Sequence, residues 1–305
     1  MRSDAGWRTL FVRGGQLRGL WRLLLFAVLF VALLQVGGWL VPAPRAWGRK
    51  GAIAWQGALM LLAAVAAGAA LLPTEGRTVA DLGFRWRRHT ARELVVGLGI
   101  GAGAIVVAVL LLVVLGQVGY GAEAGSAGGY VKALATGFAV LALPAAAEEA
   151  VFRGYPLQTL ARAVGPVTAA VMMSAGFAAA HAGNPQVEPL ALVNIFLAGV
   201  MLSMAYLWSG SLWFTTAVHL GWNWTMALPL DLPVSGLRMF DAPLYQPVVR
   251  PDWLTGGAFG PEGGLAGTLG FLLAFWAVRR ATRAVREVPE TAGPRPDSTR
   301  RESHE

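Results

Sequence analysis

Apolar residues along this chain come in long, nearly unbroken blocks. Eight of them reach or approach the roughly 20 residues that a helix needs to cross a bilayer. They run over about 20–41, 51–73, 92–116, 131–152, 165–181, 189–208, 211–229 and 264–279, the fifth and eighth being short. None shows the strict alternation of a membrane β-strand. Backbone polar groups in lipid must be satisfied within their own segment, so each block is read as a helix. The pattern predicts an all-α fold, a polytopic membrane helix bundle of about eight transmembrane helices. The first block follows several arginines, as the apolar core of a signal peptide does. It is longer than the usual 7–15 residues of such a core, shows no small-residue cleavage site, and is read as a retained span.

Composition agrees with this pattern. The chain is 55% hydrophobic and 14% charged, against roughly 45–50% and about 25% in soluble domains. Its 39 glycines fit closely packed membrane helices. Absence of cysteine excludes disulfides, thiolate metal sites and a cysteine nucleophile. Residues 1–288 are expected to form a single transmembrane domain, with its intramembrane polar residues gathered at 131–229. The Pro-containing stretch 289–305 reads as a disordered cytoplasmic tail.

The net charge of +8 raises the question of nucleic acid, but the basic residues flank apolar blocks and form no aromatic-interleaved basic face. The expected contacts are membrane lipids and no nucleic acid. Of the 25 Lys and Arg, 19 fall on one side in this reading. They include Arg2 to Arg22, Arg77 to Arg92, the pair Arg153 and Arg162 after the fourth block, and the tail from Arg279. The positive-inside rule then places both termini in the cytoplasm of a protein integral to the cell membrane, which requires an even number of spans. Asp81 to Arg88 interleaves aromatics with arginine and is read either as an interfacial helix or as an ordinary loop. The Pro- and Gly-rich stretch 230–262 is a long loop on the opposite side.

Ionisable side chains inside spans are costly and mark function. Three clusters stand out. In Glu148-Glu149-Ala-Val-Phe-Arg153, helical spacing pairs Glu149 with Arg153 and turns Glu148 about 100° away, toward a cavity. In Phe177-Ala-Ala-Ala-His181 an aromatic ring stands one turn before a histidine. In His219-Leu-Gly-Trp-Asn223 an imidazole and a carboxamide share one helix face. Taken singly, each cluster reads as structural. Taken together, they can hydrolyse an amide. A carboxylate in an apolar pocket acts as general base toward water, and His181 orients that water. His219 and Asn223 donate hydrogen bonds to the oxyanion that forms. Arg153 keeps Glu149 ionised and shapes the wall.

With these motifs the sequence resembles the CPBP family, the CAAX proteases and bacteriocin-processing enzymes also called the Abi family, which includes the type II CAAX prenyl endopeptidases. Its pattern of Glu-Glu-x-x-x-Arg, Phe-x-x-x-His and His-x-x-x-Asn is matched without departure, and the resemblance spans about 131–229. It implies an intramembrane endopeptidase acting on a membrane-associated protein or peptide, a CAAX-type substrate being the analogy. Glu148 would activate water with His181 beside it, and His219 and Asn223 would stabilise the oxyanion. Glu149, Arg153 and Phe177 would support them. Glu148, His181 and His219 would be the ligands if zinc were present. The local His-Glu-x-x-His spacing is absent, and a reaction without a cofactor is preferred.

Two alternatives remain. A non-catalytic membrane scaffold or immunity-type protein would keep the same polar cluster for stability. A proton carrier would use intramembrane Glu and His as a relay. The block boundaries also conflict with the chemistry. They set Glu148 at the inner end of the fourth span and His181 at the outer end of the fifth, roughly 25 Å apart. If the two share a water, either the fourth span runs on past Arg153 or the stretch 153–165 is embedded.

Overall fold

The structure is a computed structural model that describes residues 12–13, 16–43, 45–250 and 253–286. The expected tail at 289–305 lies outside the described residues. In chain order the helices are α1 (Gly19–Leu40), α2 (Gly48–Leu71), α3 (Thr90–Val114), α4 (Ala127–Phe152), α5 (Tyr155–Val164), α6 (Pro166–Ala180), α7 (Pro189–Ser209), α8 (Leu212–Ala227) and α9 (Leu265–Arg286). Each of the eight apolar blocks is one of them, and α5 is additional. Short antiparallel ladders pair β1 (Val12–Arg13) with β2 (Gln16–Leu17), and β3 (Val118–Ala122) with β4 (Tyr245–Val249).

The protein is an integral membrane protein. Among the described residues five helical stretches are long and apolar enough to cross a bilayer: Gly19–Leu40, Gly48–Glu75, Thr90–Val114, Ala127–Val164 and Pro189–Ser209. Helix α6 is apolar but has 15 residues, and α8 has 16. Most of α8 is buried within the bundle, so neighbouring helices rather than lipid surround it. By contrast α1 turns Leu24, Val28, Val31 and Trp39 outward, as a lipid-facing helix does.

Glycine sets the helix spacing around α8. A Cβ on Gly101 of α3 would lie 2.0 Å from the Val218 carbonyl oxygen, and one on Gly221 would lie 2.4 Å from that of Leu98. Helices α3 and α8 therefore touch backbone to backbone. Gly57 does the same for α2 against Pro144 of α4, and Gly199 for α7 against Ser174 of α6. Aromatic stacking closes the opposite flank, with Trp222 and Phe271 of α9 at 4.2 Å.

The route from α4 to α6 removes the conflict of depth. Helix α4 does not end at a membrane surface. After a bend at Arg153 and Gly154 the chain continues as α5, whose residues from Tyr155 to Leu160 are all buried. It turns only at Gly165, whose φ of +90° is glycine territory, and Pro166 then starts α6 back toward α4. Glu148 and His181 stand almost equal numbers of residues before and after this turn. At about 1.5 Å per residue both lie roughly 25 Å from it, at the same height. The Phe152 and Phe177 rings confirm the register with an edge contact at 5.1 Å.

The end of the bundle where α1 begins is tied by charge. Glu75, with 4% of its side chain exposed, meets Arg22 at 3.1 Å, Arg77 at 3.4 Å and Arg162 at 2.5 Å, and accepts from the Tyr155 hydroxyl at 2.6 Å. Arg22 is thus an inward helix residue rather than a linker charge. Arg153, counted by its position as a linker charge, is wholly buried between α4 and α5. The stretch 81–88 forms no interfacial α-helix: Asp81 and Leu82 end the 3₁₀ turn Val79–Leu82, and 83–88 is loop. Thr78 donates to the Asp81 carboxylate from its backbone N–H, which holds that carboxyl below its usual range, and its hydroxyl assists. Phe84 and Trp86 both meet Trp213 of α8 edge-on, at 5.2 and 5.8 Å.

The stretch 228–263 closes the other end. Asp231 is 1% exposed and accepts from Arg238 at 2.7 Å and from the Ala242 N–H at 3.0 Å. Burial nevertheless pushes its carboxyl above the ordinary range. The Tyr130 and Tyr245 hydroxyls meet at 2.8 Å, which fastens the ladder strand β4 to α4.

The α3–α8 contact yields a test. Gly101→Ala should lower the thermal midpoint of the purified protein, an overpacking cost of about 1–3 kcal/mol. Gly103→Ala is the control, because nothing lies within 4 Å of a Cβ there. Equal midpoints for the two variants would refute backbone contact between these helices.

Candidate active site

Four helices deliver the polar residues. Glu148 and Glu149 sit on the last turn of α4, and Arg153 caps its C-terminus. His181 caps α6, whose preceding turn supplies Phe177. His219 and Asn223 lie one turn apart on α8, and α7 contributes a backbone carbonyl from Gly199. Ser211 begins α8 by accepting a hydrogen bond from the Phe214 N–H at 3.3 Å.

Glu149 is the junction. Its Oε1 accepts from Arg153 at 3.0 Å and from His219 Nδ1 at 2.9 Å, and both Glu149 and Arg153 are fully buried. Arg153 donates further to the Gly199 carbonyl at 3.3 Å, and its guanidinium lies 4.4 Å from the centre of the Phe177 ring. The Glu149–Arg153 pairing is the one helical spacing predicts. The Glu149–His219 bond, across 70 residues of sequence, is not visible in any local motif.

Glu148 points the other way. With 25% of its side chain exposed it lines a cavity of about 780 Å³, and its Oε2 stands 3.8 Å from His219 Nε2. His181, His219, Asn223 and Phe177 line the same cavity. The expected set is therefore brought together around one space, with Glu149 and Arg153 behind its wall. The 228–263 stretch also reaches the cavity, through Val234, Ser235 and Leu237, and Glu262 completes that side. None of these four carries a motif that sequence reading could use.

Hydrogen bonding assigns the ring protons in part. His181 Nδ1 lies 2.8 Å from the Phe177 carbonyl, which can only accept, so Nδ1 donates. In the neutral ring Nε2 is then the acceptor. His219 Nδ1 likewise donates to the Glu149 carboxylate, which directs its Nε2 toward Glu148. The Phe177 ring packs between the two imidazoles, 4.6 Å from His181 and 6.3 Å from His219.

Metal binding would need three or more close ligands. Glu148, His181 and His219 share the cavity, but among the described residues no three His, Asp or Glu side chains are arranged to hold a metal ion. Glu149 holds Nδ1 of His219, as a carboxylate does for many metal-bound histidines, and leaves Nε2 directed at the cavity.

A polytopic helix bundle that gathers Glu, His and Asn from separate helices around an embedded cavity has the architecture of an intramembrane hydrolase. Comparison with protein families agrees: residues 130–225 match the Rce1-like family, type II CAAX prenyl endopeptidase. Over that segment, which holds all three motifs, the chain is similar to the CAAX proteases, and the matched family indicates a protease. The match covers less than half of the chain. Comparison with curated proteins finds no match, and neither does comparison with solved structures.

The buried junction can be tested apart from any activity. Arg153→Met leaves the Glu149 charge in the core without its arginine, and breaking such a pair costs about 3–5 kcal/mol. The variant should accumulate poorly and melt early in detergent, whereas Glu148→Gln at the cavity surface should match wild type in both. A stable Arg153→Met protein would show that Glu149 is held by something other than this pair.

Proposed function

We propose that this protein is an intramembrane endopeptidase in which Glu148 activates water for attack on a peptide bond. The observation that carries the reading is the convergence of Glu148, His181, His219 and Asn223 on one cavity, with Glu148 and His219 Nε2 at 3.8 Å. The reacting water sits between the Glu148 carboxylate and the acceptor nitrogen of His181. Glu148 takes its proton as the oxygen attacks the carbonyl carbon. The oxyanion that forms accepts hydrogen bonds from the His219 Nε2–H and the Asn223 carboxamide. Because Nδ1 of His219 already donates to Glu149, the ring acts as an imidazolium in this step. Glu148 then delivers its proton to the departing amine, and the carbon–nitrogen bond breaks.

The reaction is proposed to need no metal, since the local His-Glu-x-x-His spacing is absent and Glu148 with His181 beside it suffices as base toward water. The substrate is a membrane-associated protein or peptide, with a CAAX-type C-terminus as the class the family match supports. By the positive-inside rule both termini face the cytoplasm, and the protein resides in the plasma membrane in contact with lipid and not nucleic acid.

Comparing C-termini and released peptides between cells with wild-type protein and with Glu148→Ala identifies substrates. Processing should disappear in the variant while its cellular level stays unchanged. Persistence of every processed product would refute the glutamate mechanism, and a collapse in protein level with no substrate found would favour the scaffold reading. On an identified substrate, Asn223→Ala should lower kcat by about 10²–10³-fold, as loss of one oxyanion donor does.

Metal dependence is tested separately. Purified protein should keep full activity after exhaustive chelation, with zinc far below one ion per chain by elemental analysis. Stoichiometric zinc together with loss of activity on chelation and its return on adding zinc would overturn the metal-free mechanism.

A further inference from the structure

The wall of the cavity opposite α4 carries a second carboxylate, Glu262, which the proposed mechanism does not use. It lies on the 3₁₀ turn Pro261–Gly263 just before α9 and is 5% exposed. Three neutral groups donate to it. The Trp222 indole N–H reaches Oε1 at 3.0 Å, while the Ser235 backbone N–H and hydroxyl reach Oε2 at 2.8 and 2.7 Å. All three approach as donors, so the carboxyl oxygens of Glu262 serve as acceptors throughout. Yet among the described residues no arginine or lysine makes an ion pair with Glu262. Glu75, Glu149 and Asp231, the other deeply buried acids, each have at least one arginine.

A buried charge solvated only by dipoles is costly, and the cost falls sharply when a cation comes within hydrogen-bond range. Glu262 faces the cavity, so such a cation can reach it from the substrate side. Besides Glu262 and the two histidines, the ionisable residues lining the cavity are Glu148 and Arg49, and Arg49 lies on an exposed stretch at the start of α2. Asn184 and Ser235 add neutral polar groups beside Glu262, linked by a 2.9 Å bond from the Asn184 amide to the Ser235 carbonyl.

We propose that Glu262 is a specificity-determining subsite that receives the lysine or arginine side chain of a bound peptide. This rests on the proteolytic reading of the cavity, and it adds a substrate feature to it. Trp222 lies within one turn of His219 on α8, a rise of about 4.5 Å. A side chain at Glu262 therefore belongs to a residue about two or three positions from the scissile bond of an extended peptide. The peptide is anchored by charge there and reaches Glu148 across the cavity.

The test measures binding without turnover. Twin fluorescent peptides of leucine and alanine, one with a single lysine and the other with norleucine in its place, are titrated into full-length protein in nanodiscs. Wild type and the Glu148→Gln variant should both bind the lysine peptide about tenfold or more tighter, the range of one charge-assisted hydrogen bond. Glu262→Gln should abolish that preference and leave norleucine binding near the wild-type value. Trp222→Phe, which removes one donor but keeps the charge, should retain the preference. Equal binding of the twins by wild type, no binding of the lysine peptide, or an equal loss of both twins in Glu262→Gln would overturn the subsite. The last outcome would make Glu262 an anchor for the 228–263 stretch. A lysine preference in a protein that cuts nothing would instead sink the proteolytic reading and leave the cation site standing.

Discussion

One oxygen atom organises the centre of this protein. Oε1 of Glu149 accepts both from Arg153 on its own helix end and from His219 on α8, inside a core where neither Glu149 nor Arg153 has exposed surface. In such surroundings a carboxylate, a guanidinium and an imidazole are each too costly alone, and each is retained because the other two are in place. Arg153 then carries the network to α7 through the Gly199 carbonyl. Three helices are thereby fixed relative to one another at the level of the cavity. Glu148, the next residue along, inherits that placement and spends it on the cavity side.

The arrangement separates two tasks between adjacent glutamates. Neighbouring positions on a helix differ by about 100°, so one carboxylate faces the core and the other the cavity without any special backbone. The buried one holds His219 in a single orientation. The exposed one stays partly solvated and free to meet a water. Were both to face the cavity, like charges would drive one toward protonation and His219 would lose its anchor. Arg153 is therefore as much a part of the site as the residues that line it, although it touches no open space.

Much of this was legible from sequence because it is local. Eight apolar blocks correspond to eight helices, and the Glu149–Arg153 pair and the shared face of His219 and Asn223 follow from helical spacing. What escaped was long-range or hidden by composition. Arg153 and Arg162 look like the basic residues that flank a span, so hydropathy and charge end the fourth block at 152 although the helical stretch runs on to Val164. Yet Arg153 is the core counter-ion, and Arg162, nine residues further along the chain, belongs to the Glu75 cluster. Helix α5 is amphipathic rather than apolar, with Tyr155, Gln158 and Thr159 turned inward, so hydropathy alone does not mark it as embedded. The eight-helix reading thus describes the helices well, while the lengths of α6 and α8 show that not every one is built to span lipid by itself.

The cavity itself illustrates the same limit from the other direction. One side is written in motifs, because each motif residue must sit at a fixed interval on a helix to reach it. The far side is built by 228–263, where Ser235 adopts a left-handed φ of +48° and Gly236 packs against the Pro185 carbonyl. A loop holds its residues by turns and hydrogen bonds rather than by period, so Asn184, Ser235 and Glu262 assemble from three places with no spacing to announce them. Chemistry common to a family can be carried on helices and read from short motifs. The loop wall stands apart from the Glu149 junction, whose side-chain hydrogen bonds run, among the described residues, only to Arg153, His219 and the Gly199 carbonyl. Under the subsite proposal, helices carry the chemistry at Glu148 while the charge of the facing wall is set by a loop elsewhere in the chain.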